Sequence, residues 1–205
     1  MIDFELVMRE LSFSNPVYAS ERDFERAIKR SVERFIPGAR VENPRRFGGI
    51  RIDLGLDFGE ESVAIELKYK TRKYEIISNG RHFALKHTSA QGEVRYDFVK
   101  DITRVESYVR RANRRVGWAI ILTNDHLLWE PHSSGASEEF RIADGLTLSG
   151  TRRWKEGCAI SLTPRGADLN VLGVYHLNWQ EYSDLPGKWG RFRYLAVKIG
   201  AEDVV

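Results

Sequence analysis

The chain has 205 residues, of which 42% are hydrophobic and 30% are charged. This length gives a single domain as the first expectation, and it suffices to bury a hydrophobic core without disulfides or a structural metal. The composition excludes wholesale disorder and a collagen-like or low-complexity chain. The formal net charge is only +3, but the sequence pI of about 9.0 makes an anionic partner worth testing.

Cysteine use and the N-terminal segment bear on where the protein resides. The single cysteine, Cys158, cannot form an internal disulfide, and there is no cysteine pair for a zinc knuckle or a redox motif. Acidic residues interrupt the apolar stretch at the start of the chain, unlike a signal peptide. The chain has no uncharged apolar run of roughly 18 residues, as a membrane span requires. We therefore expect a soluble, cytoplasmic protein.

The first predicted element is a helix over residues 20–36. Ser20 followed by Asp23 has the form of a capping box. The following turns place one apolar stripe at helical spacing, made by Phe24, Ile28, Val32 and Phe35. Pro37 and Gly38 end the helix.

A β-hairpin is predicted after an Arg- and Gly-rich loop at residues 43–49. Residues 50–58 alternate apolar and polar side chains, which is typical of a strand with one buried face. Residues 63–69 repeat this alternation after a short turn. Together the two segments indicate an antiparallel pair.

The next segments predict a second hairpin, a long helix and a further strand. Residues 73–77 and 82–86 flank Asn79-Gly80, a signal for a two-residue type I′ turn. Apolar residues at helical spacing predict an amphipathic helix over 96–116, followed by an apolar strand at 118–123. The C-terminal portion is rich in turns and aromatic residues, with candidate strands at 139–142, 159–162, 172–177 and 194–199.

Three charged residues of the first hairpin are the main candidates for a functional site. Asp53 lies on its first strand, and Glu66 and Lys68 lie on its second. Because side chains alternate across a strand, Glu66 and Lys68 emerge on one face, about 7 Å apart. Burial of the apolar side chains demands a register that brings Asp53 across from this pair. Two carboxylates and an ammonium group would then share a face, and a divalent cation is a natural reason to hold such acids together.

Magnesium fits these groups because it takes oxygen ligands, keeps several waters and needs only one or two carboxylates. Asp53, Glu66 and the backbone carbonyl of Leu67 could supply the protein's share. The metal would polarise a scissile phosphate, and Lys68 could orient the attacking water or offset charge in the transition state. A Glu-x-Lys triplet arises roughly once by chance in a chain of this length, so the prediction depends on its context in a hairpin after a helix.

In that context the sequence resembles the PD-(D/E)XK nuclease superfamily. The resemblance covers residues 20–123, although Ile52 stands where the motif has proline. It implies an α/β fold of the restriction endonuclease-like type, a mixed β-sheet flanked by α-helices, here with a strand-rich C-terminal portion. It further implies a deoxyribonuclease dependent on Mg²⁺ or Mn²⁺, with Asp53 and Glu66 as metal ligands and Lys68 near the attacking water. Cleavage of both DNA strands would favour a homodimer.

Two further acids are candidates for the site. Glu21 falls inside the apolar arc of the first helix, where an acid is costly unless it meets a cation or a metal. It could equally favour the dipole at the helix start. Glu25 is its rival, and we expect Glu21 before Glu25. Asp57 shares a face with Asp53 but abuts the turn, so we interpret it as a solvated turn residue.

Basic residues beside the motif suit a nucleic-acid backbone. After the second strand they are Lys70, Arg72 and Lys73, and on the predicted long helix they are Lys100, Arg104, Arg111 and Arg115. The four helix residues fall within about 60° of one another, so they could track phosphates. A solvated outer face explains them as well.

Other activities lack their motifs. No phosphate-binding loop of the ATPase type is present, so we expect no ATP hydrolysis, and the histidine spacings do not suit a zinc hydrolase. Two alternatives to a nuclease stay open: a non-catalytic nucleic-acid-binding domain that retains the fold, and a protein-interaction domain that uses the tryptophan-rich C-terminal portion.

Overall fold

The computed structural model describes residues 3–88, 90–131 and 135–204. Its α-helices are α1 (Phe4–Ser14), α2 (Glu21–Phe35) and α3 (Gln91–Val109). Its strands are β1 (Arg40–Glu42), β2 (Arg45–Phe47), β3 (Ile50–Ile52), β4 (Leu54–Phe58), β5 (Glu61–Lys70), β6 (Tyr74–Ser78), β7 (Arg81–Leu85), β8 (Arg115–Thr123), β9 (Thr147–Arg152), β10 (Leu169–His176), β11 (Trp179–Asp184) and β12 (Arg191–Ile199). Short 3₁₀ helices cover His126–Leu128, Gly135–Phe140, Ala159–Leu162 and Ala201–Asp203.

A six-stranded mixed sheet forms the centre of the fold, in the order β1-β4-β5-β8-β12-β11. Strands β5 and β8 pair in parallel, while the other neighbours pair antiparallel. Parallel neighbours need a crossover connection, and the segment that contains α3 provides it. The predicted mixed α/β class, with a sheet flanked by helices, is therefore confirmed.

The sheet buries both of its faces, in two hydrophobic clusters. One cluster joins α1 and α2 to the side chains of β4 and β5 that include Leu54 and Ile65. The other joins α3 to the opposite face, where Ala64 and Ala119 lie, and to the C-terminal strands. Because successive residues of β5 alternate between the two clusters, its polar residues Glu66 and Lys68 face α3.

The two N-terminal helices begin at side-chain caps. Ser20 accepts a hydrogen bond from the backbone N–H of Asp23 at 3.2 Å, so the predicted start of α2 is confirmed. Helix α1 was not predicted, although Asp3 caps it by accepting the N–H of Leu6. Its buried face follows helical spacing and comprises Phe4, Val7, Met8 and Leu11. No helix in the described ranges is long and apolar enough to span a membrane.

The predicted strand over residues 50–58 is interrupted at Asp53. Strand β3 ends at Ile52 and pairs with β2. Strand β2 lies inside the segment that was predicted to be a loop. Strand β4 begins at Leu54 and pairs with β5. The predicted single apolar face is thus wrong, because Ile52 packs in the cluster beside α3 whereas Leu54 packs on the other side of the sheet.

The second hairpin is confirmed. Strands β6 and β7 pair around Asn79 and Gly80, whose φ angles of 49° and 71° fit the type I′ turn. They form a two-stranded sheet of their own.

The long helix was predicted too far towards the C-terminus. It begins at Gln91 and ends at Val109, and Arg115 and Val116 already belong to β8. Gly117 allows the close approach of this strand to the helix, because a Cβ there would lie 1.9 Å from Cγ1 of Val105.

In the C-terminal portion, two candidate strands are confirmed and two are wrong. Residues 172–177 overlap β10, and residues 194–199 lie within β12. Residues 159–162 form a 3₁₀ helix instead, and the segment 139–142 begins at the end of another. Phe140 and Ile142 are both buried. Two buried apolar residues two positions apart give the same sequence pattern as a strand, although here they lie in a non-strand segment.

Candidate active site

Asp53 occupies the bend between β3 and β4. The register of the hairpin pairs Leu54 with Ile65, which brings Asp53 across from Glu66 as predicted. Oδ2 of Asp53 accepts the backbone N–H of Leu67 at 2.9 Å. Since the N–H and C=O of a strand residue lie toward the same edge, the Leu67 carbonyl faces the side of β5 on which Asp53 lies.

Glu66 is the most buried carboxylate of the site, with 2% of its surface exposed. Burial, followed by the charges of Asp101 and Asp53, raises the pKa of Glu66 to about 10, against the lowering effect of Arg104. Its Oε1 lies 3.0 Å from Nη2 of Arg104 but has no hydrogen bond of good geometry. This oxygen is therefore ion-paired with Arg104 without a hydrogen bond, and a metal cation bound at Glu66 would compensate its buried charge in the same way.

Lys68 is held by α3. Its Nζ lies 2.6 Å from Oδ2 of Asp101, and both side chains are largely buried. Burial lowers the pKa of Lys68, but the charge and hydrogen bond of Asp101 outweigh it, so the net pKa shift is upward. Lys68 is therefore a fixed ammonium ion, two residues from Glu66 on the same face of β5.

Arg104 joins these groups from one turn further along α3. It donates a hydrogen bond to Asp101 over 3.3 Å and lies 3.0 Å from Glu66. The helical spacing predicts Arg104 on a cationic helix flank, but the structure places it against an acidic cluster formed by Asp53, Glu66 and Asp101. The predicted flank is also wrong at its far end, because Arg111 and Arg115 lie beyond the helix, with their guanidinium groups over the Phe47 ring.

The two candidate glutamates of α2 take different positions. Oε2 of Glu21 accepts the backbone N–H of Tyr69 at 2.9 Å and lies 3.0 Å from Nζ of Lys70. Glu25 is under the electrostatic influence of Asp53: burial raises the pKa of Glu25, a hydrogen bond with Asn43 lowers it, and the charge of Asp53 raises it again. Glu21 thus fixes the end of β5, and Glu25 extends the acidic surface beside Asp53.

Asp57 lies beside the turn with 40% of its side chain exposed, as predicted, but it also belongs to a separate hydrogen-bond network. Its Oδ1 accepts Nη1 of the buried Arg45 at 2.9 Å and the hydroxyl of Ser62 at 2.5 Å. Burial raises the pKa of Asp57, but the hydrogen bonds from Arg45 and Ser62, together with the charges of Arg45 and Arg40, outweigh it and the net shift is downward. Tyr108 on α3 completes this network through Arg45.

The remaining predicted basic residues lie around the site in varied settings. Lys73 and Lys100 are exposed. Arg72 lies 3.6 Å from Asp125, and its guanidinium carbon lies 4.7 Å from the centroid of the Trp189 ring. That aromatic contact was missed, although a tryptophan in the turn Gly-Lys-Trp-Gly was a visible signal.

The oxygen atoms of the candidate site suit a small cation that prefers oxygen ligands. The described residues contain no group of three or more His, Cys, Asp or Glu side chains arranged to hold a metal. Two carboxylates, Asp53 and Glu66, come together beside the Leu67 carbonyl, and Mg²⁺ commonly takes that few protein ligands because it keeps its waters. The unbonded Oε1 of Glu66 supports the fit.

Comparison with known proteins adds no relative. No protein-family model, curated protein or solved structure matches the chain. The functional argument therefore depends on the geometry of the site.

Proposed function

We propose that the protein is a metal-dependent DNA endonuclease of the PD-(D/E)XK type, with a restriction endonuclease-like fold. The order α2, β4, β5, α3, β8 supports this proposal. The observation that carries it is the position of Asp53 beside the buried Glu66, next to the Leu54–Ile65 pair of the hairpin, with Oε1 of Glu66 lacking a hydrogen bond. Two carboxylates brought this close repel each other unless a cation or a proton joins them.

Each residue of the site has a separate role in the proposed reaction. Asp53 and Glu66, with the Leu67 carbonyl, would hold Mg²⁺ or Mn²⁺. A metal bound there supplies Lewis-acid chemistry, polarising the phosphate and activating water. Lys68, fixed by Asp101, places a positive charge beside the site, where it would offset negative charge that develops on the phosphate. Exposed Lys73 and Lys100 would contact the DNA backbone.

A second candidate is a nucleic-acid-binding domain without catalysis. It is favoured by the ion pairs of Lys68 with Asp101 and of Arg104 with Glu66. These pairs partly compensate the acids without a metal. In that case the acidic cluster would stabilise the fold, and DNA binding would depend on the surface cations alone.

Cleavage assays with matched variants separate the two candidates. Supercoiled and linear DNA, both duplex and single-stranded, would be incubated with Mg²⁺ or Mn²⁺. We expect Glu66→Ala and Asp53→Asn to abolish cleavage and Lys68→Ala to slow it on the order of 100-fold. Glu61→Gln on β5 and Lys198→Ala on β12, both exposed, are the controls for lost charge. Cleavage that survives Glu66→Ala would overturn the proposal, and metal-independent DNA binding without cleavage would establish the second candidate.

A further inference from the structure

Arg104 is the cation of the acidic cluster with the weakest attachment to its partners. Its hydrogen bond to Asp101 spans 3.3 Å, and its contact with Glu66, although 3.0 Å long, is not a hydrogen bond. Lys68 is held more closely, at 2.6 Å from Asp101. The side chain of Arg104 is 30% exposed, against 13% for Lys68. Arg104 can therefore reach solvent without leaving Asp101.

A divalent cation at Asp53 and Glu66 would add positive charge to the cluster. Lys68 and Arg104 already place two cationic side chains beside Asp101 and Glu66. A cation beside Glu66 also repels the guanidinium group that lies 3.0 Å from that carboxylate.

We propose that Arg104 is a phosphate-binding residue that exchanges Glu66 for a phosphate of the nucleic acid when a divalent cation binds at Asp53 and Glu66. Asp101 serves as the pivot, because its hydrogen bond to Arg104 does not involve the metal ligands. Arginine suits this role because its planar fork binds phosphate oxygens in pairs. The exposed Lys100, one turn earlier on α3, extends the same positive surface.

The inference rests on the proposed function and adds a coupling to it. Without metal, Arg104 lies 3.0 Å from Glu66 and is withheld from the DNA. With metal, the same guanidinium becomes available for phosphate. The metal and the nucleic acid should then strengthen each other's binding, because one side chain links their two sites.

Binding measurements on the full chain test this coupling without any cleavage. Affinity for Mn²⁺ is measured by calorimetry, and affinity for a fluorescent DNA duplex is measured by anisotropy in EDTA and in Ca²⁺, another oxygen-binding divalent cation. We expect Ca²⁺ to tighten wild-type DNA binding about tenfold, as one arginine–phosphate pair supports. Arg104→Ala should reduce this factor at least about threefold, the remainder coming from contact of the metal itself with phosphate, while binding Mn²⁺ as tightly as the wild type or more tightly. Arg104→Lys should retain part of the factor, and Lys100→Ala should weaken DNA binding equally in both conditions.

The outcomes distinguish this inference from the proposed function. If the wild type binds no divalent cation, both are overturned. If the wild type binds metal and cleaves DNA but Arg104→Ala keeps the full Ca²⁺-dependent gain in DNA affinity, only the role of Arg104 is wrong. A large loss of Mn²⁺ affinity in a folded Arg104→Ala or Arg104→Lys protein would show that Arg104 merely orients the carboxylates. Circular dichroism of each variant establishes that it is folded.

Discussion

Replacement of Glu66 by glutamine should make the protein more stable, and increasingly so as the pH rises. The pKa of Glu66 is raised from 4.5 to about 10 in the folded chain, chiefly by burial. A raised carboxyl pKa contributes stability that is complete below about pH 4.5 and is lost as the pH rises towards 10. Over that range the folded state holds one proton more than the unfolded state, so stability falls by up to about 1.4 kcal/mol per pH unit. Glutamine resembles the protonated acid and has no such cost.

The expected difference between variant and wild type follows from this slope. Between about pH 6 and pH 8 one full proton would give about 3 kcal/mol. Because Asp53 and Asp101 interact with Glu66 and share its titration, we expect the variant to gain about 1 to 3 kcal/mol over this interval. Urea unfolding in EDTA at the two pH values, followed by tryptophan fluorescence, measures it. Glu61→Gln, exposed on the same strand, should show no gain. A Glu66→Gln advantage that is constant or shrinks with pH would refute the reasoning.

Four further predictions follow from the same geometry. Mg²⁺ at about ten times its dissociation constant should stabilise the wild type by about 1.4 kcal/mol and leave Glu66→Gln unchanged, as thermal unfolding would record. Metal binding near neutral pH should release about one proton, because the raised pKa of Glu66 keeps it protonated beforehand; calorimetry in two buffers of different ionisation enthalpy counts it, and a count of zero would contradict the pKa. Asp57→Asn should cost about 2 kcal/mol by weakening the bonds of the buried Arg45, with DNA cleavage retained in the folded protein. Gly117→Ala should cost about 1 to 3 kcal/mol in urea unfolding, since its Cβ would overlap Val105.

The hairpin of the site could be predicted because its local signals agree. Leu54 and Leu56 on β4 share a buried face with Val63 and Ile65 on β5, and the register that pairs them leaves Asp53 across from Glu66. The cap at Ser20 likewise has a local signature. These features depend on residues close in sequence or on a single strand pairing, so a sequence pattern is sufficient to predict them.

The partners of the charged side chains could not be predicted in the same way. Lys68 meets Asp101 and Arg104 meets Glu66 only because α3 crosses the face of β5. The angular positions of Arg104, Arg111 and Arg115 on a helix do not show which side chains they contact in the folded protein. The predicted helix extended beyond Val109 because Val116 continues the apolar spacing by coincidence. A charge pattern identifies candidates for an anionic partner, but tertiary packing decides which cations are already neutralised.

The interruption at Asp53 is where the sequence pattern fails and where the site lies. An unbroken strand would have projected Asp53 perpendicular to the sheet, opposite in direction to both Ile52 and Leu54. The bend instead sends Ile52 and Leu54 into different hydrophobic clusters and lets the Asp53 carboxylate reach the backbone N–H of Leu67. Regular β pairing would have used that N–H within the sheet. The local loss of regular structure thus fixes a carboxylate beside Glu66, at the position where we propose that the metal binds.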